Sequence, residues 1–406
     1  MTTRVGMVAG EPSGDLLAAR ILQGLTAQQT DIVCEGIGGP EMLARGFQAW
    51  HPMAALSVFG YVDALKQLPR LVSTYLDTKN RWLRQPPDVF VGIDAPDFNL
   101  RLEAQLRKAG IPTIHFVGPS IWAWRYERIH KIRDAVSHML VLFPFEEAIY
   151  QKEGIPVTYV GHPLARVIPM HPDKAGVRAR LGIAPDARVL ALMPGSRGSE
   201  VRLLAPRFIE AVRLLQQRDP DLHVLVPMVN AERRKEFEGF LASTPLRNCR
   251  VLMHPAGAGP DPAAQAVDQH NPADPTRPVA WDAMEAADAV LVASGTATLE
   301  AALFKRPMVI SYVLSPMMRR IMAWKSGQER PLVPWVGLPN VLAQEFLVPE
   351  LLQDDATPEK LADATWKALT DTAYRSNLKT RYTQMHATLN RDTAGLATKV
   401  ILDHIA

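Results

Sequence analysis

Cysteine is almost missing from this chain: Cys34 and Cys249 are the two among 406 residues. Two distant thiols make neither a disulfide framework nor a metal cluster, which suits a reducing cytoplasm. Long apolar runs are missing too. No stretch approaches the roughly 18 apolar residues of a spanning helix. The start, MTTRVGMVAGEPSGD, enters a strand pattern without an apolar leader and cleavage site. The expectation is a protein that is soluble or lies on a membrane. Charge of one sign is not in excess either, since 45 basic against 42 acidic residues leave +3, too balanced to imply nucleic-acid binding. HExxH, GxSxG, a P-loop and the GxGxxG spacing are all absent, so neither a metal nor a cofactor is expected. Asp219-Pro-Asp221 formally matches the DxD signature of metal-dependent sugar transfer. It precedes a strand rather than following one, so it reads as a surface turn.

What is present is a strand-and-helix rhythm. At 406 residues the chain exceeds one ordinary core, and 47% hydrophobic with 21% charged residues describe a folded globular protein. Strand patterns fall at 4–9, 32–36, 89–93, 113–117, 138–143 and 157–160, then at 189–193, 224–227, 251–253 and 289–293. Strands alternating with helical stretches specify parallel sheets covered on both faces, an α/β protein of two domains. Residues 161–173, crowded with proline, suggest an interdomain connection, and 254–278, rich in Pro, Ala, Gly and Asp, a surface insertion.

Ligands of open α/β sheets sit beyond the carboxyl ends of strands, so the residues found there are the candidates. The stretch VFVGIDAPDFN (89–99) is an apolar strand that stops on Asp94. Pro96 should push Ala95 into an extended conformation, and Asp97 is placed to cap the helix that follows. Both aspartates as turn caps is the plainer alternative. The turn GEPSGD (10–15) offers backbone N–H groups, Glu11 and Ser13 to a ligand, or is simply a tight βα turn. GPSIWAWR (118–125) brings Trp122 to a strand end, as pocket wall or packed loop. In PGSRGSE (194–200) the turn amides form an anion site that Ser196 and Arg197 complete, unless Arg197 is an ordinary loop residue. In SGTATLE (294–300) small residues let a phosphate approach Gly295 and Thr296, with Glu300 on a face that reaches ribose hydroxyls; an ordinary helix start is the alternative. Asn340, in GLPNV, offers both donor and acceptor groups.

Residues 56–83 carry apolar side chains at a helical period, among them Val58, Val62, Leu65, Leu68, Leu71 and Val72, interleaved with Lys66, Arg70, Lys79 and Arg81. This suits helical turns lying on an anionic bilayer, or a core helix of the first domain. Pro69 should break or kink it near Leu68.

GEPSGD (10–15), GIGGPEM (36–42), DVFVGIDAPDFN (88–99), PSIWAWR (119–125), VGHP (160–163), PGSRGSEV (194–201), ASGTATLEAAL (293–303) and LPNVLA (338–343) together resemble the lipid-A-disaccharide synthases, which are GT-B glycosyltransferases. The segment 254–278 and the little-patterned C-terminal helices depart from that family without touching a motif. The resemblance implies two Rossmann-like doubly wound domains facing each other across a cleft. It divides the chain into a 1–164 acceptor and membrane domain, a 165–180 linker, a 181–370 UDP-sugar domain, and 371–406 helices that pack back on the first domain or are exchanged in a dimer. It implies transfer of 2,3-diacylglucosamine from UDP to 2,3-diacylglucosamine 1-phosphate without a metal, in lipid A and lipopolysaccharide synthesis of Gram-negative bacteria. A homodimer, peripheral on the cytoplasmic face of the inner membrane, is implied as well. On this reading Asp94 is the general base of an inverting displacement. Arg197, Gly295 and Thr296 meet the UDP, Glu300 holds the ribose, and Asn340, Ser196 and Glu11 position phosphate or sugar. The alternatives are a UDP-sugar 2-epimerase and an inactive protein that binds lipid or nucleotide-sugar.

Overall fold

The computed structural model describes residues 2–29, 31–56, 61–253, 277–320 and 332–405, without the side chains of 61–67. Two units divide them: Met1–Pro163 with Leu389–Ala406, and Leu164–Thr388.

The first unit is built on seven parallel strands, β1 (Thr3–Ala9), β2 (Ile32–Gly38), β3 (Gln48–Pro52), β4 (Val89–Ile93), β5 (Thr113–Phe116), β6 (His138–Val141) and β7 (Val157–Tyr159). Their order is β3-β2-β1-β4-β5-β6-β7, so strand order reverses between β1 and β4. Every residue of β4 is buried, as an apolar strand covered on both faces must be. On one face lies α1 (Pro12–Gln28), whose Leu17, Ile21 and Leu25 share a cluster with Val400 and Ile401 of helix Thr393–Asp403. The short α2 (Pro40–Leu43) follows β2, and the other face is closed by Trp82 of α3 (Tyr61–Arg84) and by Leu102 and Leu106 of α4 (Pro96–Lys108). β3 escaped the sequence reading because QAWHP is an edge strand, without the apolar run of a buried one.

α3 runs from Tyr61 to Arg84 with Pro69 inside it, so of the break or kink expected near Leu68 the break does not occur. Pro69 is exposed, where water can serve the carbonyl left without its N–H partner. Leu68, Val72 and Leu76 are 51, 47 and 44% exposed, whereas Thr74, Thr78 and Trp82 face inward. Of the other residues assigned to this surface, Leu71 is half-buried, Val58 lies outside the described residues, and so do the side chains of Val62 and Leu65. Among the described residues no helix is long and apolar enough to cross a membrane.

The second unit carries six parallel strands, β8 (Val189–Met193), β9 (His223–Pro227), β10 (Cys249–Leu252), β11 (Ala289–Ala293), β12 (Met308–Tyr312) and β13 (Glu350–Leu352), in the order β10-β9-β8-β11-β12-β13. Helix Pro163–Val167, from Leu164 on, and helix Lys174–Arg180 lie in this unit. Asp288, just ahead of β11, accepts from Lys174 at 2.5 Å, Arg178 at 2.9 Å, Arg375 at 3.2 Å and the Val189 N–H at 2.9 Å. One carboxylate thus fastens helices Lys174–Arg180 and Thr372–Leu389 to the sheet. The insertion expected at 254–278 lies outside the described residues but for its last two.

Candidate active site

In the first unit, β1 and β4 pair side by side through Ala9 and Ile93, so Gly10 and Asp94 emerge together at the point where strand order reverses. The Gly10 N–H donates to Asp94 Oδ1 at 2.8 Å. Asp94 and Ala95 have φ of 52° and 40°, left-handed conformations that cost a residue with a side chain about 1–2 kcal/mol each. The extended Ala95 expected from Pro96 is therefore wrong: the chain must reverse sharply to bring Asp94 against α1. The cap expected of Asp97 is wrong as well. Ala95 is the N-cap, and Asp97, one residue into α4, points outward with 88% of its side chain exposed and meets Arg128 at 2.6 Å. The turn is held instead by Asn99, whose Nδ2 donates to the carbonyls of Asp94 at 2.9 Å and Ile93 at 3.3 Å.

The glycine of the first βα turn has a specific purpose. A Cβ on Gly14 would stand 1.8 Å from Asp94 Oδ2, so the carboxyl is pressed against the bare first turn of α1. That oxygen is buried without a hydrogen-bond partner. Burial pushes the Asp94 carboxyl up to about 7, against the pull of the Gly10 N–H, with the nearby charge of Glu11 adding to the rise. A carboxyl so placed trades its proton near neutral pH. Glu11 and Ser13 stand exposed at the start of α1. Asp15 turns inward and accepts from the N–H groups of Gly39, Glu41 and Met42 at 2.9, 2.9 and 3.2 Å, which ties the first turn to the GIGGPEM turn.

Trp122 is half-buried beyond β5. Its indole N–H meets Glu146, whose carboxyl burial pushes up to about 7. The Trp122 ring lies edge-on to Phe145 at 5.4 Å, and Phe145 stacks on Phe143 at 5.8 Å. The result is a pinned aromatic wall at the carboxyl ends of β5 and β6.

The second unit offers two turns. After β8, Glu200 Oε2 accepts from the N–H groups of Ser196 and Arg197, both at 3.1 Å. Those amides are committed, so the expectation that they bind an anion is corrected; the acid three residues after Arg197 closes the helix start from within. Arg197 itself remains available, with 78% of its side chain exposed and Glu200 at 3.5 Å. After β11, Gly295 has φ of +145°, and the space a side chain would fill there is open to 4 Å. Gly295 and Thr296 are exposed at the start of helix Thr296–Leu303, while Glu300 is buried in it. Asn340 is fully buried and internally used. Its Oδ1 accepts from the Val348 N–H at 2.9 Å, and its Nδ2 donates to the Val348 carbonyl at 2.9 Å and to Glu350 at 2.8 Å. Glu350 also takes the N–H groups of Val336 and Gly337, both at 2.9 Å. Asn340 therefore shapes the Gly337 turn, and its expected direct contact with phosphate or sugar is corrected.

Asn99, Glu146, Glu200 and Glu350 were missed by sequence reasoning. The spacing of Glu200 from Arg197 is a helix-start signature that a closer reading finds; the others show themselves through contacts distant in sequence.

Two doubly wound parallel sheets in one chain define the GT-B class, and solved structures bear out that fold. The UDP-GlcNAc 2-epimerase of Neisseria meningitidis matches with a TM-score of 0.59 at 13% identity, over 99% of each chain. WaaG, a glycosyltransferase involved in lipopolysaccharide biosynthesis, matches at 0.55 and 15% identity over 98% of this chain and 99% of its own. The family is decided by sequence. The lipid-A-disaccharide synthetase family model matches residues 5–254 and 275–401, passing over the insertion that composition set apart. The lipid-A-disaccharide synthase of Bordetella petrii is 66% identical over 99% of this chain and 98% of its own length, and that of an Azoarcus species 48% over 100% and 97%. The chain belongs to the lipid-A-disaccharide synthetase family, glycosyltransferases of lipid A synthesis in Gram-negative bacteria.

Proposed function

We propose that the chain transfers 2,3-diacylglucosamine from its UDP derivative to the 6-hydroxyl of 2,3-diacylglucosamine 1-phosphate. The bond from sugar C1 to the UDP oxygen breaks and a bond from C1 to O6 forms on the opposite face, giving a β-1,6 disaccharide 1-phosphate and UDP. Asp94 takes the O6 proton. Arg197 and the amides at Gly295 and Thr296 meet the charge that gathers on the departing UDP, with Glu300 on the ribose, so no metal is needed. Glu11, Ser13, Asp97 and Trp122 line the acceptor side.

The observation that carries this reading is the Asp94 carboxyl: it sits at the switch point of the sheet, held in a strained turn, with one oxygen unpaired and its proton affinity raised to about 7 by burial. A base must be deprotonated, so kcat/KM falls as pH drops through about 7. Asp94→Asn should lower turnover on the order of 10²- to 10⁴-fold while leaving UDP affinity within about twofold. Near-normal turnover of Asp94→Asn dismisses Asp94 as base.

Both substrates carry acyl chains held in a bilayer, and the outward stripe Leu68, Val72 and Leu76 of α3 supports peripheral binding to the inner membrane from the cytoplasm. The same reading carries a homodimer, which light scattering tests by a mass twice the 44.9 kDa of one chain.

A further inference from the structure

Beneath Asp94 lies a polar cluster that the scheme above leaves unused. Gly92, two residues before Asp94, pairs in register with His115 of β5. Its missing side chain admits the cluster: a Cβ there would stand 2.2 Å from Glu103 Oε1 and 3.0 Å from Asn99 Cβ. Asn99 and Glu103 are one turn apart on α4, and neither they nor His115 have any exposed surface. His115 Nδ1 lies 2.8 Å from Glu103 Oε1. Three polar atoms of the set, Asn99 Oδ1, Glu103 Oε2 and His115 Nε2, are buried without a partner. Groups left in that state cost stability, and an apolar trio would serve the core better.

The cluster connects to Asp94 in two ways. Asn99 Nδ2 reaches the carbonyls of Asp94 and Ile93, and at 3.5 Å that of Val8 on β1, so one amide ties the left-handed turn to both central strands. His115 also acts through its charge, drawing the Asp94 carboxyl down against burial. Burial raises Glu103 in its turn, and His115 draws it back.

We propose that Asn99, Glu103 and His115 are positioning residues for Asp94: Asn99 holds the turn that aims its carboxylate, and the hydrogen-bonded Glu103–His115 pair, seated where Gly92 leaves room, fixes the polar floor beneath it. This rests on Asp94 being the base. Of the other titratable groups on the packed elements, Glu11 acts on Asp94 from the start of α1, Asp15 is committed to the turn at Gly39, Asp97 is turned out to Arg128, Arg4 pairs with Glu35, Arg20 is half-buried on α1, and Arg101, Arg107 and Lys108 of α4 are exposed.

The test is the pH dependence of kcat/KM in the full-length enzyme. His115→Asn keeps a donor toward Glu103 but removes the imidazole charge, so the acid limb should move up by about half a unit or more. Glu103→Gln, which leaves the ring without the carboxyl it faces at 2.8 Å, should move it the same way. Asn99→Ala should lower kcat about tenfold with both KM values within about twofold. A purely structural role would lower amplitude and melting temperature without moving the limb, and an unmoved limb in either folded variant overturns the proposal. If neither variant folds, Asn99→Ala decides: a roughly tenfold loss of kcat with unchanged KM is expected, and an unchanged kcat overturns the proposal. An active Asp94→Asn enzyme removes the reading of Asp94 and the cluster together, whereas an inactive one with unmoved limbs removes the cluster alone.

Discussion

As the proposed base, Asp94 has to satisfy two opposed demands. It must be charged to accept a proton, yet burial favours its neutral form and lifts its carboxyl to about 7. A folded-state value raised above the unfolded one contributes stability that is complete below pH 4 and lost as pH rises through 7. Asp94→Asn removes that loss, so it should melt higher than the native protein at pH 8, by on the order of 1–3 kcal/mol, with no difference near pH 4. Calorimetry at the two pH values checks this. Gly14→Ala should do the reverse, since its methyl would stand 1.8 Å from Asp94 Oδ2. A loss of about 1–3 kcal/mol in urea unfolding is expected, with turnover falling as Asp94 is displaced. Asp94 and Gly14 were legible as residue types at strand and helix ends. The left-handed turn and its Asn99 support were not, because Pro96 argues locally for extended backbone and the contact with α1 overrides it.

Among the elements, α3 shows what periodicity reveals and what it leaves open. Residues 68, 72 and 76 form one stripe and 74, 78 and 82 the opposite one, as positions four apart must. The helical period was readable, but not which stripe faces out, because both carry large side chains: Leu68, Val72 and Leu76 outside, Trp82 within. A wall of Leu68, Pro69, Val72 and Leu76 with Ser73 and Asp77 borders a surface depression of about 640 Å³. Replacing Leu68, Val72 and Leu76 together by Ser should cut sedimentation with anionic liposomes about tenfold or more and leave Tm within about 2 °C. A variant that unfolds instead would mark the stripe as core. Turns behaved differently from helices: PGSRGSE announced an anion site, but Glu200 already takes two of its amides.

For the whole molecule, the parallel sheets were legible because β1, β4, β8 and β11 are apolar runs flanked by turns. β3 and β13, edge strands with no fully buried run, were not, and the interior apolar strand β12 was missed as well. The return of the chain at Leu389, where the last helix covers α1 of the first unit, came only from the family resemblance, as one of two alternatives for 371–406. No local pattern in Thr393–Asp403 says which apolar face will receive it. Mass spectrometry tests the proposed sugar transfer between two acylated glucosamines. Purified protein is given UDP-2,3-diacylglucosamine and 2,3-diacylglucosamine 1-phosphate in mixed micelles with EDTA present. Disaccharide 1-phosphate and UDP should form in equal amounts; recovery of both sugars unjoined, or of a UDP-sugar epimerised at C2, would rule the transfer out.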